Sequence, residues 1–188
     1  VEGGTLSLPA APSLLGYTFA GWYDAETGGT KWGNASASTG AITGLGDFTI
    51  HGQWTPTTWT VTYNTQGGST QADGSYVTAG AITLAGAPTK TGYDFAGWYS
   101  AASGGTRYGD ASGSYTPASP WGDQIIHAQW TPKTWTVTYD TNGGSSQASG
   151  TYTTGLALTL PAAPTLTGYD FAGWYSDASG GTRYGGAS

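Results

Sequence analysis

Residues 92–99 read Gly-Tyr-Asp-Phe-Ala-Gly-Trp-Tyr, and nearly the same eight residues stand at 16–23 and at 168–175. Consecutive blocks are 76 positions apart, as their tryptophans show: Trp22, Trp98 and Trp174. A long motif that returns at a fixed spacing is the signature of a tandem array. The chain therefore consists of one module seen about two and a half times, which favours a structural role over a single catalytic pocket.

Two further motifs keep the same period. Gln-Trp-Thr-Pro contains Trp54 and Trp130, and Trp-Thr-Val-Thr-Tyr begins at Trp59 and Trp135. Where the last two modules overlap, 40 of 54 positions are identical without a gap. The motif order predicts a first repeat at 1–56, a complete repeat at 57–132 and a third repeat at 133–188.

The two outer repeats are each expected to be incomplete. The first repeat has no Trp-Thr-Val-Thr-Tyr segment, and the third has no Gln-Trp-Thr-Pro segment. We expect the chain to be an excerpt of a longer repetitive protein. A compatible alternative is a fibre whose neighbouring chains complete the ends by adding a strand to an open sheet edge.

The complete repeat is predicted to be almost entirely β-structure. Runs of β-branched and aromatic residues favour strands, here at 59–63, 75–78, 82–84, 93–99, 106–108 and 124–130. A tight turn is expected at 66–68, where the residues tolerate positive φ. Residues 110–121 are predicted to be irregular, and 131–132 to end the last strand and link the repeats. Strand alternation puts Phe95 and Trp98 on opposite faces.

Composition narrows the class of protein and its partners. Charged residues make up 9% of the chain, against about 25% in an ordinary domain. Aromatic residues make up 14%, enough to build a small core from rings. Without cysteine, neither disulfides nor thiolate metal sites can form. With a net charge of −6 and five Lys and Arg, nucleic acid and anionic membrane surfaces are unsuitable partners.

The blocks at 135–144, 168–175 and 129–132 together resemble the Listeria–Bacteroides repeat, a family that includes the B-repeat of internalin-type surface proteins. The resemblance covers every repeat. It implies a β-grasp (ubiquitin-like) module carried in tandem on secreted proteins of the bacterial cell surface. It also implies a spacer or adhesive stalk, without a catalytic activity common to the family.

The residues capable of catalysis or metal binding do not form a convincing site. His51 and His127 are equivalent, and Asp47 and Asp123 lie four residues before them. In a strand, that spacing separates the two side chains by roughly 13 Å, too far to share one ion. We therefore predict polar surface positions and no catalytic, cofactor-binding or metal-binding residues.

One cationic position is kept in all three repeats. Its members are Lys31, Arg107 and Arg183, and an aromatic residue follows each of them. The cation could stack on a neighbouring ring or form a salt bridge across the joint between repeats. It could equally be a solvated edge-strand charge that prevents unwanted strand pairing. The sequence leaves these alternatives open.

The repeated tryptophans are the main structural and interface candidates: Trp22, Trp54, Trp59, Trp98, Trp130, Trp135 and Trp174. Most of these rings are expected in the core, and some at the surface, where they would pack on the next repeat and stiffen the array. We predict a rigid spacer or an extracellular fibre subunit, whose partners are neighbouring repeats and other copies of the chain. The alternative is a carbohydrate-binding array with exposed Trp or Tyr stacking on surface glycans.

Overall fold

The computed structural model describes residues 3–43 and 46–186, and all the regular elements in them are β-strands. The prediction of a mainly β fold is thus confirmed; the β-grasp arrangement stays an expectation from the resemblance. By their contacts, the described residues form two compact units. One comprises the chain up to Pro88 together with Gly97–Gln129, and the other comprises Thr89–Ala96 and the chain from Trp130 onward.

The first repeat forms a three-stranded antiparallel sheet in the order β2-β1-β3. Its strands are β1 (Tyr17–Tyr23), β2 (Lys31–Gly33) and β3 (His51–Pro56). Strand β3 therefore lies at an edge of its sheet. Only Thr57 separates it from the first strand of the next repeat.

The complete repeat contributes a five-stranded sheet in the order β5-β4-β10-β7-β8 and a small β6-β9 pair. The strands are β4 (Thr58–Asn64), β5 (Gly74–Val77), β6 (Ile82–Thr83), β7 (Tyr93–Tyr99), β8 (Arg107–Gly109), β9 (Ser114–Tyr115) and β10 (Gln124–Pro132). Strand β10 pairs in parallel with β4, with Gln124 opposite Val61 and His127 opposite Asn64. The first and last strands of the repeat thus stand side by side.

The core of the complete repeat lies against this sheet. The buried side chains are Val61, Tyr63, Tyr76, Ile82, Leu84, Trp98, Ile126 and Ala128. Strand β10 shows the expected alternation, since Ile126 is buried and Ile125 is 61% exposed. Each fully buried large apolar side chain stabilises the fold by about 1.5–3 kcal/mol.

The third repeat forms two hairpins, β11 (Thr134–Val137) with β12 (Gly150–Thr153) and β13 (Trp174–Asp177) with β14 (Gly180–Gly185). Its first strand is shorter than β4, although both strands start in the same sequence, Thr-Trp-Thr-Val-Thr-Tyr. The block at 168–175 is likewise a strand only from Trp174 onward, whereas the identical block at 92–99 forms β7. In the complete repeat, the strands at these two positions, β4 and β7, flank β10.

The predicted strands are all found, but two predictions about the loops are wrong. The segment 110–121 contains strand β9. Strand β10 continues through Pro132, so only Lys133 separates it from β11. Proline is compatible with the end of a strand because its carbonyl still accepts a hydrogen bond; the equivalent Pro56 stands opposite Tyr17.

In the outer repeats, the Phe and the Trp of the equivalent block contact each other and do not lie on opposite faces. The ring centroids lie 5.2 Å apart for Phe19 and Trp22, and 5.1 Å apart for Phe171 and Trp174. The register of β1 shifts between Phe19 and Gly21, where Gly21 has a φ of +138°. A β-bulge inserts one residue and so rotates the following side chain to the other face.

Candidate functional site at the joints between repeats

The first joint, in the first unit, connects the first and complete repeats through Gly16, Thr57 and Thr78. The carbonyl of Gly16 accepts a hydrogen bond from the Thr57 amide (2.9 Å) and another from the Thr78 hydroxyl. The Thr78 amide in turn donates to the Thr57 carbonyl (2.9 Å). A Cβ on Gly16 would lie 2.8 Å from Cγ2 of Thr78, so the backbone approaches too closely for a side chain.

Trp59 extends this network into the complete repeat. Its indole Nε1 donates a hydrogen bond of 3.0 Å to the hydroxyl of Thr78, which is only 4% exposed. The Thr78 hydroxyl therefore accepts from Trp59 and donates to Gly16 at the same time. One buried hydroxyl thus joins the main chain of one repeat to an indole of the next.

A second aromatic side chain, Trp121, also packs at the first joint. Its ring meets Tyr17 of the first repeat edge-on, with 6.4 Å between centroids. The indole Nε1 of Trp121 is buried and has no hydrogen-bond partner among the residues that the structure describes. Sequence reasoning missed Trp121, because the equivalent position in the first repeat is Leu45 and no repeated motif marks it.

The second joint, in the second unit, repeats the contacts of the first. The Lys133 amide donates to the Gly92 carbonyl (2.8 Å), and the Thr154 amide donates to the Lys133 carbonyl (2.9 Å). Nε1 of Trp135 donates to the Thr154 hydroxyl at 3.0 Å. Each of these groups has its counterpart at the first joint 76 residues earlier. The joint is therefore encoded in the repeat itself.

Two lysines add charge contacts in the second unit. Nζ of Lys133 lies 3.3 Å from a carboxylate oxygen of Asp94, a pair whose side chains are 40% and 68% exposed. Nζ of Lys90 stands over the ring of Tyr93, 4.7 Å from its centroid, and 5.7 Å from that of Trp130. Neither lysine recurs in the other repeats, so the repeat pattern did not predict their contacts at the joint.

The repeated cations lie elsewhere, against the glycine of the Gly-Trp-Tyr block in their own repeat. A Cβ on Gly97 would stand 2.8 Å from Nε of Arg107, and one on Gly173 would stand 2.8 Å from Nε of Arg183. Lys31 lies in the same way beside the bulge glycine of β1. Arg107 forms an ion pair with Asp110 of its own repeat.

The tryptophan of the Gly-Trp-Tyr block is buried in the complete and third repeats and half-buried in the first. Trp98 is fully buried, packs against Tyr63 with 4.8 Å between ring centroids, and donates to the Ala85 carbonyl at 2.9 Å. Trp22 and Trp174 make the same bond to the carbonyl at the equivalent position. These three candidates therefore hold each repeat together from within.

The tryptophan of Gln-Trp-Thr-Pro packs on the block phenylalanine. The centroid distance is 5.3 Å for Trp54 and Phe19, and 5.7 Å for Trp130 and Phe95. Both tryptophans are half-buried. Two of the seven tryptophan candidates, Trp59 and Trp135, donate hydrogen bonds at the joints.

In the complete repeat, the histidine and the aspartate of these positions both form hydrogen bonds. Nδ1 of His127 lies 3.3 Å from Nε2 of Gln66, and a carboxylate oxygen of Asp123 accepts from the Thr60 amide at 2.8 Å. In the part of the chain that the structure describes, no three His, Asp or Glu side chains form a group that could hold a metal ion. Nowhere in residues 3–43 and 46–186 is a helix long and apolar enough to cross a membrane.

Known proteins share this sequence pattern. Internalin H of Listeria monocytogenes is 41% identical over 123 residues, which are 65% of this chain and 21% of that protein. A putative membrane protein of Evansella cellulosilytica is 28% identical over 169 residues (90% of this chain, 24% of the relative), and a putative Gly-rich membrane protein of that organism is 26% identical over 175 residues (93% and 19%). The chain spans about a fifth to a quarter of these relatives.

No solved structure matches the chain significantly. The family model of the Listeria-Bacteroides repeat domain, in contrast, matches three segments, at residues 1–45, 59–121 and 135–187. These segments cover all three repeats and most of the sequence. The chain belongs to the Listeria-Bacteroides repeat family.

Proposed function

We propose that this chain is part of a bacterial cell-surface protein, in which it acts as a non-catalytic spacer with the complete repeat at 57–132 as its unit. The observation that carries the proposal is the joint. The Thr57 amide donates to the Gly16 carbonyl and the Thr78 amide to the Thr57 carbonyl. Lys133, Gly92 and Thr154 form the same two backbone hydrogen bonds at the second joint. At the first joint, these contacts hold the first repeat against the complete repeat.

The length of the linker supports this role. One residue, Thr57 or Lys133, separates the last strand of a repeat from the first strand of the next. The amide and the carbonyl of that residue are both hydrogen-bonded. A flexible connection needs a longer segment with unpaired backbone groups, so this linker favours a fixed angle at the first joint.

The relatives support a location at the cell surface. They include Internalin H and proteins named as putative membrane proteins. The low charge of the chain fits a role as an extracellular spacer better than one in electrostatic binding. We infer that its principal partners are the adjoining repeats.

A carbohydrate-binding array has less support. In the complete repeat, none of the described Trp and Tyr side chains is among the exposed large apolar residues. The most exposed rings belong to the third repeat, where Tyr169 is 76% exposed and Tyr184 is 63% exposed. A glycan platform built into each repeat would instead present the same ring in the complete repeat.

Residual dipolar couplings measured on the whole chain test the spacer role. We expect the amides of the first and complete repeats to fit one common alignment tensor, because the first joint holds them together. As a control, a Gly-Ser-Gly-Ser insertion after Pro56 should separate them into two tensors. Two independent tensors in the unmodified chain would refute a fixed joint, and glycan binding that disappears when a single exposed ring is replaced would favour the alternative.

A further inference from the structure

The first and last strands of the complete repeat are neighbours in one sheet. The chain enters the repeat at the start of β4 and leaves it at the end of β10. Residues 124–127 of β10 pair with 61–64 of β4, and the two strands run in the same direction. Tension along an array of repeats therefore acts on two adjacent strands of a single ladder.

The parallel arrangement determines how such tension acts on the ladder. Because both strands run the same way, a pull at the start of β4 and a pull at the end of β10 are opposed along the strand axis. The strands must then slide past each other, and all hydrogen bonds between them are loaded together. In an antiparallel pair, the same pull would open the bonds one after another from one end. Parallel pairs are not stronger per residue, so the resistance comes from the direction of loading.

We propose that the paired segments 61–64 and 124–127 form a mechanical clamp, which lets the complete repeat carry a pulling force along the chain without unfolding. This function goes beyond that of a spacer, because a spacer has to keep a distance but does not have to resist tension. The antiparallel hairpin of β4 and β5 does not carry the load, since the force passes from β4 directly to β10.

Apolar packing protects one face of the clamp. Val61 of β4 and Ile126 of β10 are fully buried, and Tyr63, which stands opposite Ile126, is buried as well. Water therefore cannot compete for the ladder hydrogen bonds from this side, and the low dielectric of the core strengthens them. Sliding the strands apart would also expose these apolar side chains to water, which opposes the movement.

Side-chain hydrogen bonds reinforce the clamp at both ends. At its start, a carboxylate oxygen of Asp123 accepts a hydrogen bond of 2.8 Å from the Thr60 amide. At its other end, Nε2 of Gln66 lies 3.3 Å from Nδ1 of His127. Each contact joins a residue in or just after β4 to one in or just before β10. Sliding must therefore break these contacts together with the ladder.

Single-molecule pulling on the whole chain tests the clamp, and a sequence without cysteine allows handles at chosen positions. Pulled from its ends, the chain should show a rupture that releases up to about 250 Å, the extended length of 58–132. Handles on Thr62→Cys and Ile125→Cys, which stand opposite each other at exposed positions, pull the two strands apart sideways. We expect this direction to need a severalfold lower force. Equal rupture forces in the two directions would overturn the clamp.

Two buried isoleucines provide a matched comparison. Ile126 lies in the clamp, whereas Ile82 lies in β6, outside the five-stranded sheet, and their exposed fractions are 0% and 1%. Replacing either residue by valine should cost similar stability at equilibrium. Under a constant end-to-end force, Ile126→Val should speed up rupture about fivefold, and Ile82→Val less than about twofold. The same acceleration by both variants would show that overall stability, and not the clamp, resists the force.

The clamp and the spacer role fail in different experiments. The clamp acts within the complete repeat, so its rupture force does not depend on a fixed joint. Two independent alignment tensors would refute the fixed joint and leave the difference between the two pulling directions unchanged. Equal forces in both directions, or equal effects of the two isoleucine variants, would refute the clamp and leave the spacer role intact.

Discussion

Cγ2 of Thr154 lies 2.7 Å from the point at which a Cβ on Gly92 would stand. Gly168, the equivalent glycine of the third repeat, has nearly the same φ (+82° against +81°), but nothing lies within 4 Å of its Cβ position. An alanine at either position incurs about 1–2 kcal/mol of left-handed backbone strain. Only Gly92→Ala also forces the joint apart. We therefore expect Gly92→Ala to lower Tm more than Gly168→Ala, and equal shifts would contradict the close packing.

Thr78 offers a test of the hydrogen bonds at the first joint. Thr78→Val keeps the shape of the side chain but removes the hydroxyl between the Trp59 indole and the Gly16 carbonyl. Because buried polar groups then lose their partners, we expect a loss of about 1–3 kcal/mol of unfolding free energy. Thr62→Val, on an exposed position of β4, is the matched control and should change stability by less than about 0.5 kcal/mol. Similar losses in urea unfolding of both variants would contradict the proposed role of the hydroxyl.

The ion pair at the second joint should contribute far less. Lys133 and Asp94 are 3.3 Å apart but largely exposed, so solvent and side-chain entropy offset their attraction. A double-mutant cycle with Lys133→Gln and Asp94→Asn should give a coupling of about 0.2–1 kcal/mol that salt weakens. At the first joint, the equivalent residues are Thr57 and Thr18, which cannot form an ion pair. A large coupling unaffected by salt would show that charge, rather than backbone contact, holds the joint.

The identical blocks at 92–99 and 168–175 show how far the sequence predicts the fold. The pattern of β-branched and aromatic residues located every strand of the complete repeat except β9, because its side chains alternate against one core. The same pattern failed at 169–173, where the residues are equally suited to a strand. A strand also needs a partner, and its partner comes from a distant part of the chain. Local sequence does not contain that information.

The residues of the joints could be predicted from the sequence where they belong to motifs that return in each repeat. The repeats identified Trp59 and Trp135, which do lie at the joints. They also suggested Arg107, whose described ion pair stays within its own repeat. Thr78 and Trp121 were missed for different reasons. Thr78 is one of many threonines in a chain rich in them, and Trp121 has no aromatic counterpart in the first repeat. Only the packing distinguishes them.

Tyr63 provides a test by pH. Burial raises the pKa of its phenol above the ordinary value of 10.0, although the hydrogen bond from the Ala85 amide opposes the shift. Because the pKa of Tyr63 is higher in the folded than in the unfolded protein, the neutral phenol contributes its full stabilisation at any pH below the pKa of the unfolded state. That contribution is lost as the pH rises through the folded pKa. We therefore expect the unfolding free energy to fall as the pH rises above 10.

Tyr63→Phe separates this titration from the rest of the protein. The variant loses the bond to Ala85 and should be about 0.5–1.5 kcal/mol less stable at neutral pH, but its stability should fall less steeply in alkali. Tyr115→Phe is the companion variant, because burial also raises the pKa of Tyr115, and its nearness to Tyr108 adds to the shift. Urea unfolding at neutral and alkaline pH measures both. A Tyr63→Phe protein with the same alkaline slope as the original would show that this phenol stays neutral or solvated throughout.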